Sequence, residues 1–229
     1  MKLILFDIDG TLLLTGGRAA GLMAESAAEI LRKPVHWDIS DFVGNTDRQI
    51  LFTLLRRSGA ADSVITDLVE DSLNLYLDKL DDTLSARGAV KVLPGVKPLL
   101  KKMQNNPGFA LGVLTGNVKA GAEIKLKYAG LLPFFKIGAY GDDAANRNYL
   151  PRFVIQRAEK HFGRFFEKKD IWIIGDSLND IRCAHANHLQ SLAVATGYYS
   201  PEQLKALHPI RIIDNFNDTQ RVLKLLEGG

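Results

Sequence analysis

Apolar residues fall along the chain in two rhythms. Lys2 to Phe6 is a short, nearly continuous apolar run of the kind that forms a strand buried on both faces, and Asp7, Asp9, Gly10 and Thr11 end it. Three stretches with apolar positions at helical spacing follow: Arg18 to Leu31, Thr46 to Arg57 with a stripe of Ile50, Leu51, Leu54 and Leu55, and Thr66 to Leu80. No strand pattern separates them. From Leu93-Pro94-Gly95 onward the rhythms alternate. The spacing predicts a helix over Val96 to Met103, a strand over Phe109 to Leu114, a helix over Val118 to Tyr128 and a strand near Phe134 to Ala139. It then predicts a helix from Pro151 to His161, whose proline suits a first helical turn, and a strand over Ile171 to Ile174. A helix over Leu178 to Ala186, a strand over Ser191 to Ala195, and terminal elements around 210–213 and 218–226 complete the series.

Strands that alternate with helices build a parallel sheet covered on both faces. The expected fold is therefore α/β: a doubly wound, Rossmann-like core made from residues 1–14 and 91–229, interrupted over 15–90 by an α-helical insert. Because the insert leaves directly after the first strand's loop, it is expected above the carboxyl edge of the sheet, where ligands bind in this architecture. That position suits a lid.

Composition narrows the function without naming it. With 46% hydrophobic and 24% charged residues in 229, the chain is an ordinary globular sequence long enough to bury a core unaided. The net charge of +3 comes from basic residues scattered among acids, which gives nucleic-acid binding little support and favours a small-molecule partner. A lone Cys183 cannot form an internal disulfide, so a reducing compartment, the cytoplasm, is the expectation. No export leader is expected from the residues around Met1 to Asp9, and no membrane span is expected, since no apolar run is long enough for one.

Three strand-like runs end in unusual polar loops: Asp7-Ile8-Asp9-Gly10-Thr11, Thr115-Gly116-Asn117, and Gly175-Asp176-Ser177-Leu178-Asn179-Asp180. Parallel strands bring their carboxyl ends to one edge, so acids, a hydroxyl and free backbone N–H groups converge on a small volume. Carboxylates held that close require a cation, and oxygen ligands without His or Cys favour Mg²⁺. Asp7 and Asp9, two apart, suit a pair in which one attacks phosphorus while the other shuttles protons. Thr115 and the N–H groups that follow it suit phosphoryl oxygens. Each loop alone is a common turn or helix cap, and their joint occurrence in this order is what carries the signal.

These three loops resemble motifs one, two and four of the haloacid dehalogenase (HAD) superfamily. By that resemblance Asp7 is the nucleophile, Asp9 the general acid and base that also meets the metal through its carbonyl, Thr115 with Gly116 and Asn117 the phosphate site, and Asp176 a side-chain ligand of Mg²⁺. Asp180 matches a second acid that either binds the metal or orients a metal-bound water. The helical insert falls where the family's cap domain usually sits, and Phe42-Val43-Gly44-Asn45-Thr46-Asp47 resembles a cap loop of phosphoglycolate-phosphatase-like members.

The family's third motif normally supplies a Lys, but the corresponding stretch, 141–152, has none. Arg147, in the loop before a helix, is the expected replacement cation, and Arg152, within that helix, is the other candidate. Set against this is a surface pairing of Arg147 with Asp142 or Asp143. His161, His185 and His188 are expected in surface or packing roles, Cys183 as a small buried residue, and neither Lys33 nor Lys79 has the context of a Schiff-base lysine. The resemblance implies hydrolysis of a small phosphate monoester. Phosphoryl transfer of the β-phosphoglucomutase type and a non-catalytic binding role are the alternatives.

Overall fold

The computed structural model describes residues 1–228. Six strands form one parallel sheet: β1 (Lys2–Phe6), β4 (Phe109–Leu114), β5 (Ile137–Ala139), β6 (Ile171–Gly175), β7 (Gln190–Val194) and β8 (Arg211–Ile213). Their spatial order is β5-β4-β1-β6-β7-β8. Successive strands step away from β1 in one direction and then resume on its other side, the doubly wound order, and the reversal falls between β1 and β6. The central strands are buried because every residue of β4 and β6 is apolar or Gly, as a sheet covered on both faces requires.

Helices α4 (Val96–Gln104), α5 (Lys119–Ala129), α6 (Leu150–Phe162), α7 (Leu178–Asn187), α8 (Pro201–Lys205) and α9 (Thr219–Glu227) connect or follow these strands. Their ends follow local chemistry. Gly130 and Gly163 close α5 and α6 in the left-handed conformation, while Ser177 and Asp180 form a reciprocal capping box on α7. Gly95, at φ +81°, begins α4 where a Cβ would collide with the Phe216 carbonyl. One apolar cluster on a sheet face includes Phe6, Leu100, Leu111 and Trp172, and another includes Leu3, Leu114, Val154 and Ile173.

Between β1 and α4 the chain departs through a short antiparallel ribbon of β2 (Leu13–Leu14) and β3 (Lys91–Val92). The ribbon carries α1 (Arg18–Leu31), α2 (Asp47–Arg57) and α3 (Ile65–Ser85), which enclose their own apolar cluster around Met23, Leu51, Leu54, Leu73 and Leu80. Val118 at the start of α5 belongs to that cluster, so the helical unit packs directly on α5.

Several expected boundaries move. The strand expected near Phe134 is only Ile137–Ala139, because Pro133 lies in a 3₁₀ turn over Leu132–Phe134. Helix α3 continues to Ser85, beyond the expected Leu80. The ribbon and α8 were not expected: two-residue strands carry no readable alternation, and α8 is announced only by Ser200, Pro201 and Gln203 in a capping box. Among the described residues, no helix is long and apolar enough to cross a membrane.

Leu100 is fully buried in the first cluster. Truncating it to Ala is expected to lower the unfolding free energy by about 2–5 kcal/mol, measured by urea denaturation, because the rigid sheet cannot collapse onto the void.

Candidate active site

Register along the sheet brings the polar loops level. Phe6 lies beside Val113 of β4 and Ile174 of β6, so the chain leaves the sheet at Asp7, Thr115 and Asp176 at nearly one height. Asp7 and Asp176 flank the crevice where the strand order reverses. Asp7, Asp176 and Asp180 are all buried, and each offers an oxygen within 4.8 Å of the others.

Arg147 enters this cluster from a 3₁₀ turn that precedes α6. Its Nη2 donates to Asp7 Oδ1 at 2.9 Å, to the Leu114 carbonyl at 3.2 Å and to Asp180 Oδ1 at 2.5 Å. The other oxygen of Asp180 accepts from the Ser177 N–H at 3.0 Å and hydroxyl at 2.6 Å, so the capping box that starts α7 also fixes this acid. Thr11 donates its hydroxyl to Asp176 Oδ1 at 2.9 Å.

One guanidinium faces three carboxylates, and the balance is visible in their protonation. Burial pushes Asp7 up to about 7, with Asp180 adding to the shift and Arg147 opposing it. Burial, then the charges of Asp7 and Asp180, raise Asp176 well above the usual carboxylate range. The excess negative charge and the all-oxygen donor set of Asp7, Asp176 and Asp180 fit a hard divalent cation such as Mg²⁺.

The side chain of Asp9 lies outside this cluster. Its Oδ2 accepts from Asn117 Nδ2 at 2.8 Å and from Lys125 Nζ at 2.7 Å. Asn117 also donates to the Thr115 hydroxyl at 2.8 Å, so its amide bridges Asp9 and its own loop. The Gly116 N–H, by contrast, donates to no protein acceptor among the described residues.

The helical unit closes over this loop. The Asp47 N–H donates to the Gly116 carbonyl at 2.9 Å, and Asp47 Oδ2 accepts from the Val118 N–H at 2.8 Å, capping α5 from outside the core. Thr46 donates to the Ala145 carbonyl, and Arg48 joins Glu70 of α3 to Asp142 of the core. Gly116 permits this approach, since a Cβ there would collide with the Asn45 carbonyl. A cavity of about 410 Å³ remains, with Asp7, Asp9, Thr115 and Arg147 on its core side and Met23, Ile50 and Tyr76 among the residues of the helical unit.

Of the expected site residues, Asp7, Asp9, Thr115, Gly116, Asn117, Arg147 and Asp176 line one cavity, while Asp180 lies behind it, bonded to Arg147 and Ser177. Arg147 does not pair with Asp142 or Asp143, which are engaged by Arg48 and Arg157. Arg152 is exposed on α6, stacked over Tyr149 and Phe153, away from the acids. His161, His185 and His188 are exposed, and Lys33 is exposed while Lys79 pairs with Glu29. Cys183 is buried, and its thiol donates to the Arg147 carbonyl at 3.4 Å. Sequence reasoning missed Thr11 and above all Lys125. The available signal was spacing: Gly121, Ala122, Lys125, Leu126 and Ala129 share the buried stripe of α5.

Comparison with known proteins supplies the context. The family model described as haloacid dehalogenase-like hydrolase matches residues 1–188. A phosphoglycolate phosphatase of Vibrio parahaemolyticus is 26% identical over 227 residues, which span 97% of this chain and 96% of that protein. Phosphoglycolate phosphatase 1 of Pseudomonas aeruginosa is 26% identical over 227 residues, covering 95% of this chain and 78% of that one. The crystal structure of a predicted phosphoglycolate phosphatase from Haemophilus somnus superposes with a TM-score of 0.74 at 22% identity, covering 97% and 98% of the two chains.

The raised acids give the metal-free protein a defined pH response. Asp7 binds its proton more tightly folded than unfolded, so its contribution is complete below the unfolded value of 3.8 and is lost as pH rises through about 7. Thermal unfolding in a chelator is expected to give a higher melting temperature at pH 6 than at pH 8. Asp176→Asn, which removes the other acid whose protonation burial raises, is expected to flatten that dependence.

Proposed function

The chain belongs to the haloacid dehalogenase-like hydrolase family, and from that premise we propose that it is a Mg²⁺-dependent phosphatase that hydrolyses a small, phosphoglycolate-like monoester through a phosphoryl ester on Asp7. The observation that carries the reading is the placement of Asp7 in the buried acid cluster, bonded to Arg147 and opening on the same cavity as Asp9 and Thr115.

In this reading Asp7 attacks phosphorus as the carboxylate, the bond from phosphorus to the ester oxygen breaks, and the departing alkoxide takes a proton from Asp9. Water then attacks the phosphoryl group, passes a proton back to Asp9 and releases inorganic phosphate, which regenerates Asp7. Thr115 and the free Gly116 N–H would hold phosphoryl oxygens, with Asn117 ordering the loop. Arg147 would stand in for the family's third-motif Lys, offsetting negative charge beside Asp7.

Mg²⁺ would be held by Asp7, Asp176 and the Asp9 carbonyl, with Asp180 adding charge through a carboxylate whose two oxygens already accept protein hydrogen bonds. When bound, it neutralises phosphoryl charge and the repulsion among the acids. We assign residues 15–90 to a cap that excludes water and shapes the leaving-group side of the cavity; its dimensions suit a small ester. The lone buried thiol of Cys183 accords with work in the reducing cytoplasm.

Phosphate release from a panel of small phosphate esters, with and without Mg²⁺, tests the reading. Asp7→Asn is expected to abolish release while the melting temperature is kept or raised. Arg147→Ala is expected to lower kcat by about 10²-fold or more, against little change for Arg152→Ala. Equal effects of the two Arg variants would contradict the role given to Arg147, and transfer to a second sugar hydroxyl instead of water would favour the mutase alternative.

A further inference from the structure

Lys125 is the second buried cation of the cavity, and no part of the mechanism above uses it. It projects from α5 with only 4% of its surface exposed. Its ammonium donates to Asp9 Oδ2 at 2.7 Å and to the Asn117 side-chain carbonyl at 2.5 Å. Asn117 in turn donates to the same Asp9 oxygen at 2.8 Å. Three groups therefore close a small ring, and one carboxylate oxygen of Asp9 takes both donors. The other oxygen, Oδ1, accepts from no protein group among the described residues, and the Asp9 side chain is 40% exposed on the cavity side.

A carboxylate on a short side chain can swing about two torsions, and proton transfer requires its oxygen within hydrogen-bond reach of the reacting atom. Pinning one oxygen with two charge-strengthened or amide donors fixes both torsions while leaving the second oxygen open. The helical unit completes the pocket: Tyr76 of α3 and Asp47 of α2 line the same cavity as Lys125. Asp47 also caps α5, the helix that carries Lys125. A solvated surface lysine would have neither the burial nor this set of partners.

We propose that Lys125 is a positioning residue of the reaction, which with Asn117 holds Asp9 so that its free oxygen faces the departing and attacking oxygens in the cavity. This rests on the reading of Asp9 as the proton shuttle. It differs from the role given to Arg147, which touches Asp7 and Asp180 and not Asp9. The two cations serve different acids.

The test separates leaving groups. Transfer of the phosphoryl group to Asp7 from an alkyl ester such as phosphoglycolate needs a proton from Asp9, whereas p-nitrophenolate departs without one. In Lys125→Met, single-turnover transfer from phosphoglycolate is expected to fall roughly 10²-fold with KM little changed, and the p-nitrophenolate burst to stay within about threefold of wild type. In an Asp9→Asn background the same substitution is expected to add little, because the group it orients is already gone.

Equal loss with both esters, or a loss that adds fully to that of Asp9→Asn, would overturn the proposal in favour of a purely structural Lys125; no loss with either ester would overturn it as well. Should Lys125→Met not fold, the pair Asp47→Asn with Lys125→Met removes an opposing charge at the same time and is read identically. Turnover that survives Asp7→Asn would instead bring down the aspartyl-phosphate reading beneath it.

Discussion

Three carboxylates crowd within 4.8 Å at the buried end of the central strands, where little water is left to disperse their charge. Burial makes each of these charges costly and their mutual repulsion adds to the cost, and the surrounding structure is arranged to contain it. Arg147 spans two of the acids, Ser177 holds the far oxygen of Asp180, and Thr11 holds Asp176. Even the backbone complies: a Cβ at Gly10 or Gly197 would collide with the Asp176 carboxylate. An arrangement that is unfavourable for the empty protein is favourable for one that receives a cation and a phosphoryl group, so the same charges that cost stability supply affinity.

Around that cluster the site divides into two neighbouring circuits. One runs through Asp7, Arg147 and Asp180 and is built wholly from the core. The other runs through Asp9, Asn117 and Lys125 and is completed by Tyr76 and Asp47 of the helical unit. One loop joins them, since Arg147 donates to the Leu114 carbonyl at its start and the Asn117 amide donates to Asp9 at its end. The helical unit is therefore more than a cover, because its side chains enter the hydrogen bonding and electrostatics of a core helix.

What could be read in the sequence depended on contrast. A buried apolar strand that breaks into Asp-x-Asp-Gly, or into Gly-Asp before a helix, is conspicuous, and the parallel topology then dictates that such breaks share an edge. Arg147 was legible because it stands in a loop just ahead of a helix. Lys125 was not, since a lysine between Ile124 and Leu126 reads as a solvated position until the packing of α3 on α5 covers it. The β2/β3 ribbon escaped for want of length. The limits of the insert were legible as a change of rhythm, but its sharing of an apolar cluster with Val118 arises from tertiary packing that no local pattern encodes.

The position of β1 at the centre of the sheet has a further consequence, for the order in which the chain can fold. β1 pairs with residues 109–113 on one side and 171–174 on the other, so its neighbours are made long after it. During synthesis the apolar segment Leu3 to Phe6 has no strand to join until about half of the chain has been made, while the helices of the insert can meet one another earlier. Newly made chains thus pass through an interval in which an adhesive, unpaired strand is tethered to an already helical neighbour.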